Sequence, residues 1–227
     1  MVSTTACKWD SIIPLKSLWE QYERVIKENG AIVLTASQPF TTKLIQSNME
    51  WFKYEWIWEK SRFANQMLAH YQPLKIHENI LVFSKYTHTY NPQGLVKVNK
   101  VTKQGKQVTD NNGGGERPTS YHQEYTNYPK TIQEFKSAGI TKHSTQKPVS
   151  LFEYLIKTYT NENDIVLDNV IGSGTTAVAC LKTNRKFIGF EKEEEYYNIA
   201  LKRIGKLDKK YYKQLPKEEQ PKQLQMF

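Results

Sequence analysis

The sequence predicts an α/β protein built on a mainly parallel, doubly wound sheet. Short apolar runs of strand length alternate with amphipathic helical stripes along most of the chain. One of those runs passes through a glycine turn directly into a helix, and an acid closes the strand that follows. The 227 residues suffice for one sizeable domain with a small insertion.

The elements follow in order. From Pro14 to Asn29, residues Leu15, Leu18, Trp19, Tyr22, Val25 and Ile26 share one helical face, with Pro14 suited to the first turn and Asn29-Gly30 to the stop. Ala31-Ile-Val-Leu-Thr-Ala36 reads as a buried strand, and Tyr54-Glu-Trp-Ile-Trp-Glu-Lys60 as an alternating, aromatic one. Asn79-Ile-Leu-Val-Phe-Ser-Lys85 is a third. From Tyr86 to about Thr141 no long period emerges: lysines recur at 97, 100, 103 and 106, and Gly113-Gly114-Gly115 sits in the middle. This stretch is a loop-rich insertion, either a plain surface loop or a substrate-recognition segment. A helical stripe of Phe152, Leu155, Ile156 and Tyr159 opens at Pro148. Ile165-Val-Leu-Asp168 is a strand, Ala177 to Leu181 a helix of small residues, and Lys186-Phe-Ile-Gly-Phe190 the next strand. A last helix runs from about Glu193 to Ile204, its acids and its Lys202 and Arg203 matching the helix dipole, with Gly205 as its stop.

Composition narrows the function. Lys and Arg number 32 against 23 Asp and Glu, a formal net charge of +9, which fits a polyanionic partner. The two cysteines, Cys7 and Cys180, lie far apart without metal-ligand spacing and read as free thiols of a reducing compartment. No apolar run has the length of a membrane span and no signal peptide is evident, so a cytoplasmic protein is expected.

The strongest chemical signal is the strand ending at Asp168, then Asn169-Val-Ile-Gly172-Ser-Gly174-Thr-Thr176, a helix, and a strand closed by Glu191. Glycines at such a turn let a ligand approach the backbone, and the helix N-terminus favours negative charge. An acid at the tip of the next strand can accept hydrogen bonds from ribose hydroxyls. Gly172, Gly174 and Ala177 formally satisfy the dinucleotide fingerprint, but only one further strand–helix pair follows, too few for a nicotinamide-binding domain. The remaining alternative is a tight glycine turn without a ligand.

Five further segments sharpen this. His143-Ser-Thr-Gln-Lys-Pro148, Asp164-Ile-Val-Leu-Asp168, Gly172-Ser-Gly-Thr-Thr176, Asn184-Arg-Lys-Phe-Ile-Gly-Phe-Glu191 and Tyr196-Tyr197 closely resemble the permuted β-group DNA methyltransferases, which make N6-methyladenine or N4-methylcytosine. Within the group the chain looks most like the short, monospecific enzymes of phages and prophages. Trp9-Asp10, Gly30-Ala-Ile-Val-Leu34, the Tyr54–Lys60 strand and His77-Glu-Asn-Ile-Leu-Val-Phe83 extend the match over nearly the whole chain.

The resemblance implies a Rossmann-like methyltransferase fold and S-adenosylmethionine as cofactor. Residues 1–85 and 142–205 would form the catalytic and cofactor domain, 86–141 the target-recognition insertion, and 206–227 a flexible basic tail. Asp168 and the glycine turn with Gly172, Gly174, Thr175 and Thr176 would hold the methionine end and Glu191 the ribose, while Asn169 and Val170 would complete the cofactor site, Val170 beside the adenine. Thr145, Gln146 and Lys147 would line the pocket, Thr145 serving equally well as a helix cap. Lys97, Lys100, Lys103 and Lys106 would contact double-stranded DNA, mainly at phosphates. Asn169 and Val170 stand where the family usually has Pro and a bulky residue, and Ser144 where it has Pro.

In this group a strand ending in Asp/Asn/Ser-Pro-Pro-Tyr precedes the Trp-Asp pair. It positions the target amino group, and its aromatic stacks on a base flipped out of the duplex. The sequence opens Met1-Val-Ser-Thr-Thr-Ala-Cys-Lys-Trp-Asp10 without that motif, so no catalytic residue is assigned. The strand would belong between 165–168 and 31–36. Completion by an upstream fragment, a homodimer, or an inactive cofactor- and DNA-binding relic are the expectations this raises, with an RNA or small-molecule methyltransferase a third class. The tail ends Gln223-Leu-Gln-Met-Phe227, which resembles the short peptides that dock on bacterial sliding clamps.

Overall fold

The computed structural model describes residues 13–103, 120–139 and 146–212, with side chains up to 206. In chain order the elements are α1 (Leu15–Val25), β1 (Ile32–Ala36), α2 (Phe40–Ser47), β2 (Phe52–Ala64), β3 (Lys75–Phe83), β4 (Val96–Lys103) and β5 (Ser120–Thr126). There follow β6 (Ile132–Phe135), α3 (Val149–Tyr159), β7 (Ile165–Asp168), α4 (Thr175–Lys182), β8 (Lys186–Gly189) and α5 (Glu194–Tyr212). The chain divides into two compact units, Pro92–Lys130 and the remainder.

In the larger unit, β1, β3, β2 and β6 form one sheet in that order. The apolar run Ile80-Leu-Val-Phe83 of β3 is unbroken because both faces are covered and all four side chains are buried. Leu81 and Phe83 pack with Ile32, Ala36, Trp19, Leu44 and Trp51 under α1 and α2. Ile80 and Val82 pack with Trp56 and Trp58 against Leu151, Leu155 and Tyr159 of α3. Helices thus cover both faces, the doubly wound arrangement. A register shift between Phe52 and Tyr54 lets Phe52 join the first cluster while Tyr54 joins the second. Truncating Leu81 to alanine should cost about 2–5 kcal/mol.

The direction of β3 departs from the mainly parallel expectation: it runs antiparallel to β1 and to β2. The connection from β2 to β3 holds only a 3-10 turn at Gln66–Leu68, and a parallel return needs a crossover of about a dozen residues or more, usually helical. β6 does run parallel to β2.

A separate parallel pair, β7 and β8, matches Ile165 to Lys186 and Asp168 to Gly189. Its Val166 and Phe187 pack with Ala179 and Cys180 of α4 and Ile156 of α3, so α3 underlies both sheets. Side chains from α1 and from the segment after it bond the residues that flank β7. Tyr22 donates to Asn169 Oδ1 at 3.0 Å, and Lys27 pairs with Asp164 at 3.2 Å. The segment from Tyr22 to Lys27 thus follows β7 from its carboxyl end back to its start. Strands β1 and β7 are not paired with each other among the described residues.

Three further differences from expectation have physical causes. Helix α2 and strand β6 are too short for their periodicity to show. Helix α5 does not stop at Gly205 but continues to Tyr212. That glycine keeps a helical φ, and glycine inside a helix costs only about 1 kcal/mol. The expected loop-rich stretch contains β4, β5 and β6.

In the smaller unit β4 and β5 form an antiparallel pair, interrupted by a register shift between Lys97 and Lys100, where Asn99 adopts φ 48°. Asn127 closes its base, donating to Gly94 O at 2.7 Å. Among the described residues no helix is long and apolar enough to cross a membrane.

Candidate functional site

The carboxyl end of β7 and the turn into α4 carry a dense set of polar hydrogen bonds. Gly172 and Gly174 both lie in the left-handed region, at φ 54° and 80°. A Cβ on Gly174 would sit 2.9 Å from Ala200 Cβ of α5, so the close approach of that helix also requires glycine. Between and beyond them Ser173, Thr175 and Thr176 are buried.

Two carboxylates bracket the turn. Asp168 Oδ1 accepts from Val170 N at 3.1 Å, and Oδ2 accepts a short hydrogen bond from the Thr176 hydroxyl. Burial pushes the Asp168 carboxyl above its ordinary range; these two donors oppose the rise and Glu191 adds to it. Glu191, just past β8, accepts from Gly172 N at 2.8 Å and from Glu193 N at 2.9 Å, strapping the turn to the start of α5.

The turn is held from three sides. Arg203 of α5 donates to Ser173 O at 2.6 Å, Ser173 Oγ at 2.9 Å and Thr175 Oγ1 at 3.3 Å. Ser173 Oγ donates to Gln146 Oε1 at 3.0 Å, and Thr175 Oγ1 to Lys147 O at 3.3 Å. From α1, Tyr22 fixes Asn169; burial, with Asp168 nearby, pushes that phenol up to about 12.

The Lys147 ammonium is committed elsewhere. It lies 2.7 Å from Glu78 Oε2 of β3, and Lys60 of β2 lies 2.5 Å from Oε1. Both ammonium groups sit over the Trp58 ring, at 5.8 and 5.2 Å. Burial pushes the Glu78 carboxyl up, but the two lysines outweigh it and hold the group below its usual range.

A glycine turn with two acids at adjacent strand ends suits a ligand that brings hydroxyls and positive charge. A pyrophosphate would meet both carboxylates. The comparison with known proteins agrees: the N6_N4_Mtase model, described as DNA methylase, matches residues 7–202. The chain belongs to the DNA methylase family.

Relatives of this methylase include the type II methyltransferase M.HpaI of Haemophilus parainfluenzae, 29% identical over 196 residues, which are 82% of this chain and 56% of that protein. The DNA adenine methyltransferase YhdJ of Escherichia coli is 27% identical over 190 residues, covering 80% of this chain and 62% of that protein. The chain thus spans less than two thirds of either relative's length. The crystal structure of the M1.HpyAVI–SAM complex superposes with a TM-score of 0.59 at 28% identity, covering 84% of this chain and 81% of that one. The fold is Rossmann-like, as expected.

Within the methylase, the residues singled out from sequence meet unevenly. Gln146, Asp168, Asn169, Gly172, Gly174, Thr175, Thr176 and Glu191 fall in one constellation. Lys147 joins it through its carbonyl rather than its charge. Val170 joins through its N–H, its side chain standing 64% exposed. Lys97 and Lys100 pair with Tyr125 and Gln123 and so share a face of the β4–β5 hairpin, whereas Lys103, opposite Ser120, points to the other face. Thr145, Lys106, Cys7, Trp9-Asp10, His143-Ser144, the triple glycine and the Gln223–Phe227 peptide lie outside the described residues. Cys180 is buried, which pushes its thiol up to about 12. Three participants were not singled out. Ser173 was visible as the middle of the glycine turn, Arg203 carried only the signature of a helix-end charge, and Tyr22 that of an apolar stripe.

Proposed function

We propose that this chain provides the cofactor pocket and a DNA-contacting hairpin of an S-adenosylmethionine-dependent DNA amino-methyltransferase. The observation that carries the reading is the turn at Gly172–Gly174 held between the Asp168 and Glu191 carboxylates. Those residues fit the group. Glu191 has lone pairs beyond the two backbone bonds for ribose hydroxyls, and Asp168 supplies negative charge for the cationic methionine end. When bound, the cofactor supplies an electrophilic methyl group on sulfur. The chain's residues bind it, orient it and wall it off through the Gln146–Ser173–Arg203 contacts.

The finer features of the reading rest on narrower support. N6 of adenine is preferred over N4 of cytosine as target, in line with the adenine methyltransferase YhdJ among the relatives. The order of motifs supports the permuted β-group, of the short phage and prophage kind, working in the cytoplasm where its DNA would be. Lys97 and Lys100 would meet phosphates, with Tyr121 beside them on the same face.

Calorimetry with S-adenosylmethionine and with NAD tests the pocket. We expect binding of the first only, and Glu191→Ala to weaken it at least about tenfold. Equal affinity in the two proteins, or a preference for NAD, overturns the reading.

One observation favours a second reading, binding of cofactor and DNA without turnover by these residues alone. Strands β1 and β7 both lie beside α1 and α3, yet among the described residues they do not pair. A strand between them, carrying the Pro-Pro-Tyr-type motif of the group, would complete both the sheet and the chemistry. An upstream segment of polypeptide or a second copy of the chain would be its source.

A further inference from the structure

Strands β2 and β3 run on past the sheet's core. Beyond the Glu59–His77 pair the register shifts, and the ladder resumes at Ala64 and Lys75. Every residue from Ser61 to Leu74 is exposed. The tip is nonetheless held by its own backbone. The N–H groups of Leu68, Ala69, Tyr71 and Gln72 donate back to the carbonyls of Asn65, Gln66 and Leu68 at 2.9–3.1 Å.

What this ordered tip presents is apolar. Met67 and Tyr71 stand 93% and 87% exposed, and Phe63, Leu68 and Ile76 are exposed with them. A contiguous apolar patch on a hydrogen-bonded tip marks a contact surface. Its charge selects the partner. From Lys60 to His77 the sequence holds Lys60, Arg62 and Lys75 and no acid. Glu78 matches Lys60, while Arg62 and Lys75 enter no ion pair among the described residues. A second copy of the chain would bring the same positive charge against this patch. Duplex DNA satisfies both features, with phosphates outside and apolar base faces within.

The root of the excursion lies beside the candidate cofactor site. Glu78, next to His77, holds the Lys147 ammonium at 2.7 Å, and the Lys147 carbonyl accepts from Thr175 at the glycine turn, 3.3 Å away. DNA presenting a base to that turn therefore meets the excursion. A base that leaves the stack opens a space there, and apolar side chains are suited to fill it.

We infer that the 61–76 excursion is a DNA wedge: Met67 and Tyr71 enter the base stack beside the target, and Arg62 and Lys75 hold the flanking phosphates. The inference rests on the DNA methyltransferase reading.

The test uses the full chain and two labelled duplexes of one arbitrary sequence, one intact and one with a single abasic site. A wedge gains most where a base is already missing from the stack. In fluorescence titrations wild type should bind the abasic duplex about tenfold more tightly than the intact one. Met67→Ser with Tyr71→Ser should bind the two duplexes alike. Arg62→Gln with Lys75→Gln should keep the preference, weaken binding to both duplexes equally and reduce the salt slope by about 2. All four positions are exposed or half-exposed, so both variants should unfold at the wild-type temperature and bind S-adenosylmethionine as wild type does. No preference in wild type, a preference kept without Met67 and Tyr71, or an unchanged salt slope overturns the inference while the DNA reading stands. So does a dimer in sedimentation that the Met67/Tyr71 variant abolishes, since a second copy would then be the occupant. Failure of wild type to bind either duplex overturns both.

Discussion

Asp168 carries opposed demands. Its carboxylate is buried against the glycine turn, with Glu191 adding negative charge, so its proton affinity is raised on folding. A raised carboxyl favours the folded state fully below the unfolded value, ordinarily near 3.8, and that contribution is lost as pH rises through the folded value. Asp168→Asn can keep both local contacts: its oxygen accepts from Val170 N, and its amide donates to a reoriented Thr176 hydroxyl. We therefore expect the variant to unfold at a higher temperature than wild type at neutral pH, and the gap to close on acidification below about pH 4. A gap independent of pH in thermal unfolding scans would show that the charge is not the cause. The same variant should bind S-adenosylmethionine more weakly. Asp168, Gly172, Gly174 and Glu191 were legible in the sequence because glycine and strand-end acids have few other uses in that order. Arg203 was not, since a basic residue near a helix end already has an explanation in the dipole.

At the scale of elements, the β4–β5 hairpin separates lysines that look equivalent in sequence. A spacing of three puts strand residues on opposite faces, and the register shift after Lys97 returns Lys97 and Lys100 to one face while Lys103 stays on the other. If the Lys97 face meets phosphates, Lys97→Gln with Lys100→Gln should reduce the salt slope of DNA binding by about 2, and Lys103→Gln should leave it unchanged. Equal effects of all three lysines in fluorescence titrations would mean diffuse attraction rather than a docked face. The hairpin was illegible because neither of its faces is buried and the register shift after Lys97 interrupts the short Val96-Lys97-Val98-Asn99 alternation. Strand β3 was plain for the opposite reason. It also carries Glu78, which ties β2 and the segment before α3 through Lys60 and Lys147. The lowered Glu78 carboxyl stabilises the fold above its unfolded value, ordinarily 4.5, and that support fades as pH falls through the folded value. Glu78→Gln should cost on the order of 2 kcal/mol at neutral pH, with the difference vanishing in acid. Denaturant titrations at neutral pH and at about pH 3 check it; an unchanged difference would assign the loss to packing.

At the scale of the molecule, the doubly wound α/β class was legible from alternating strands and helices, but the pairing of strands was not, because periodicity carries no partner information. The consequence is concentrated between β1 and β7. Tyr22 of α1 and Lys27 beyond it bond the residues flanking β7, and α1 packs on β1; α3 lies against both sheets. An isolated two-stranded sheet is marginal in water. One face of β7–β8 also exposes Ile165, Leu167 and Ile188. A strand between β1 and β7 would satisfy the two edges that are unpaired among the described residues. Correct placement of reacting groups can be worth about 7–11 kcal/mol of a barrier, so residues that bind cofactor and DNA without the positioning strand should give no measurable turnover. Co-expression with a polypeptide carrying a strand that ends in an Asp-Pro-Pro-Tyr-type motif should raise the unfolding temperature and start transfer of labelled methyl groups to DNA. Both effects have one cause and should appear together. Stabilisation without transfer would mean that the slot accepts a strand but the chemistry lies elsewhere. Turnover at full rate by residues 1–227 alone would mean that groups already within the chain position the target.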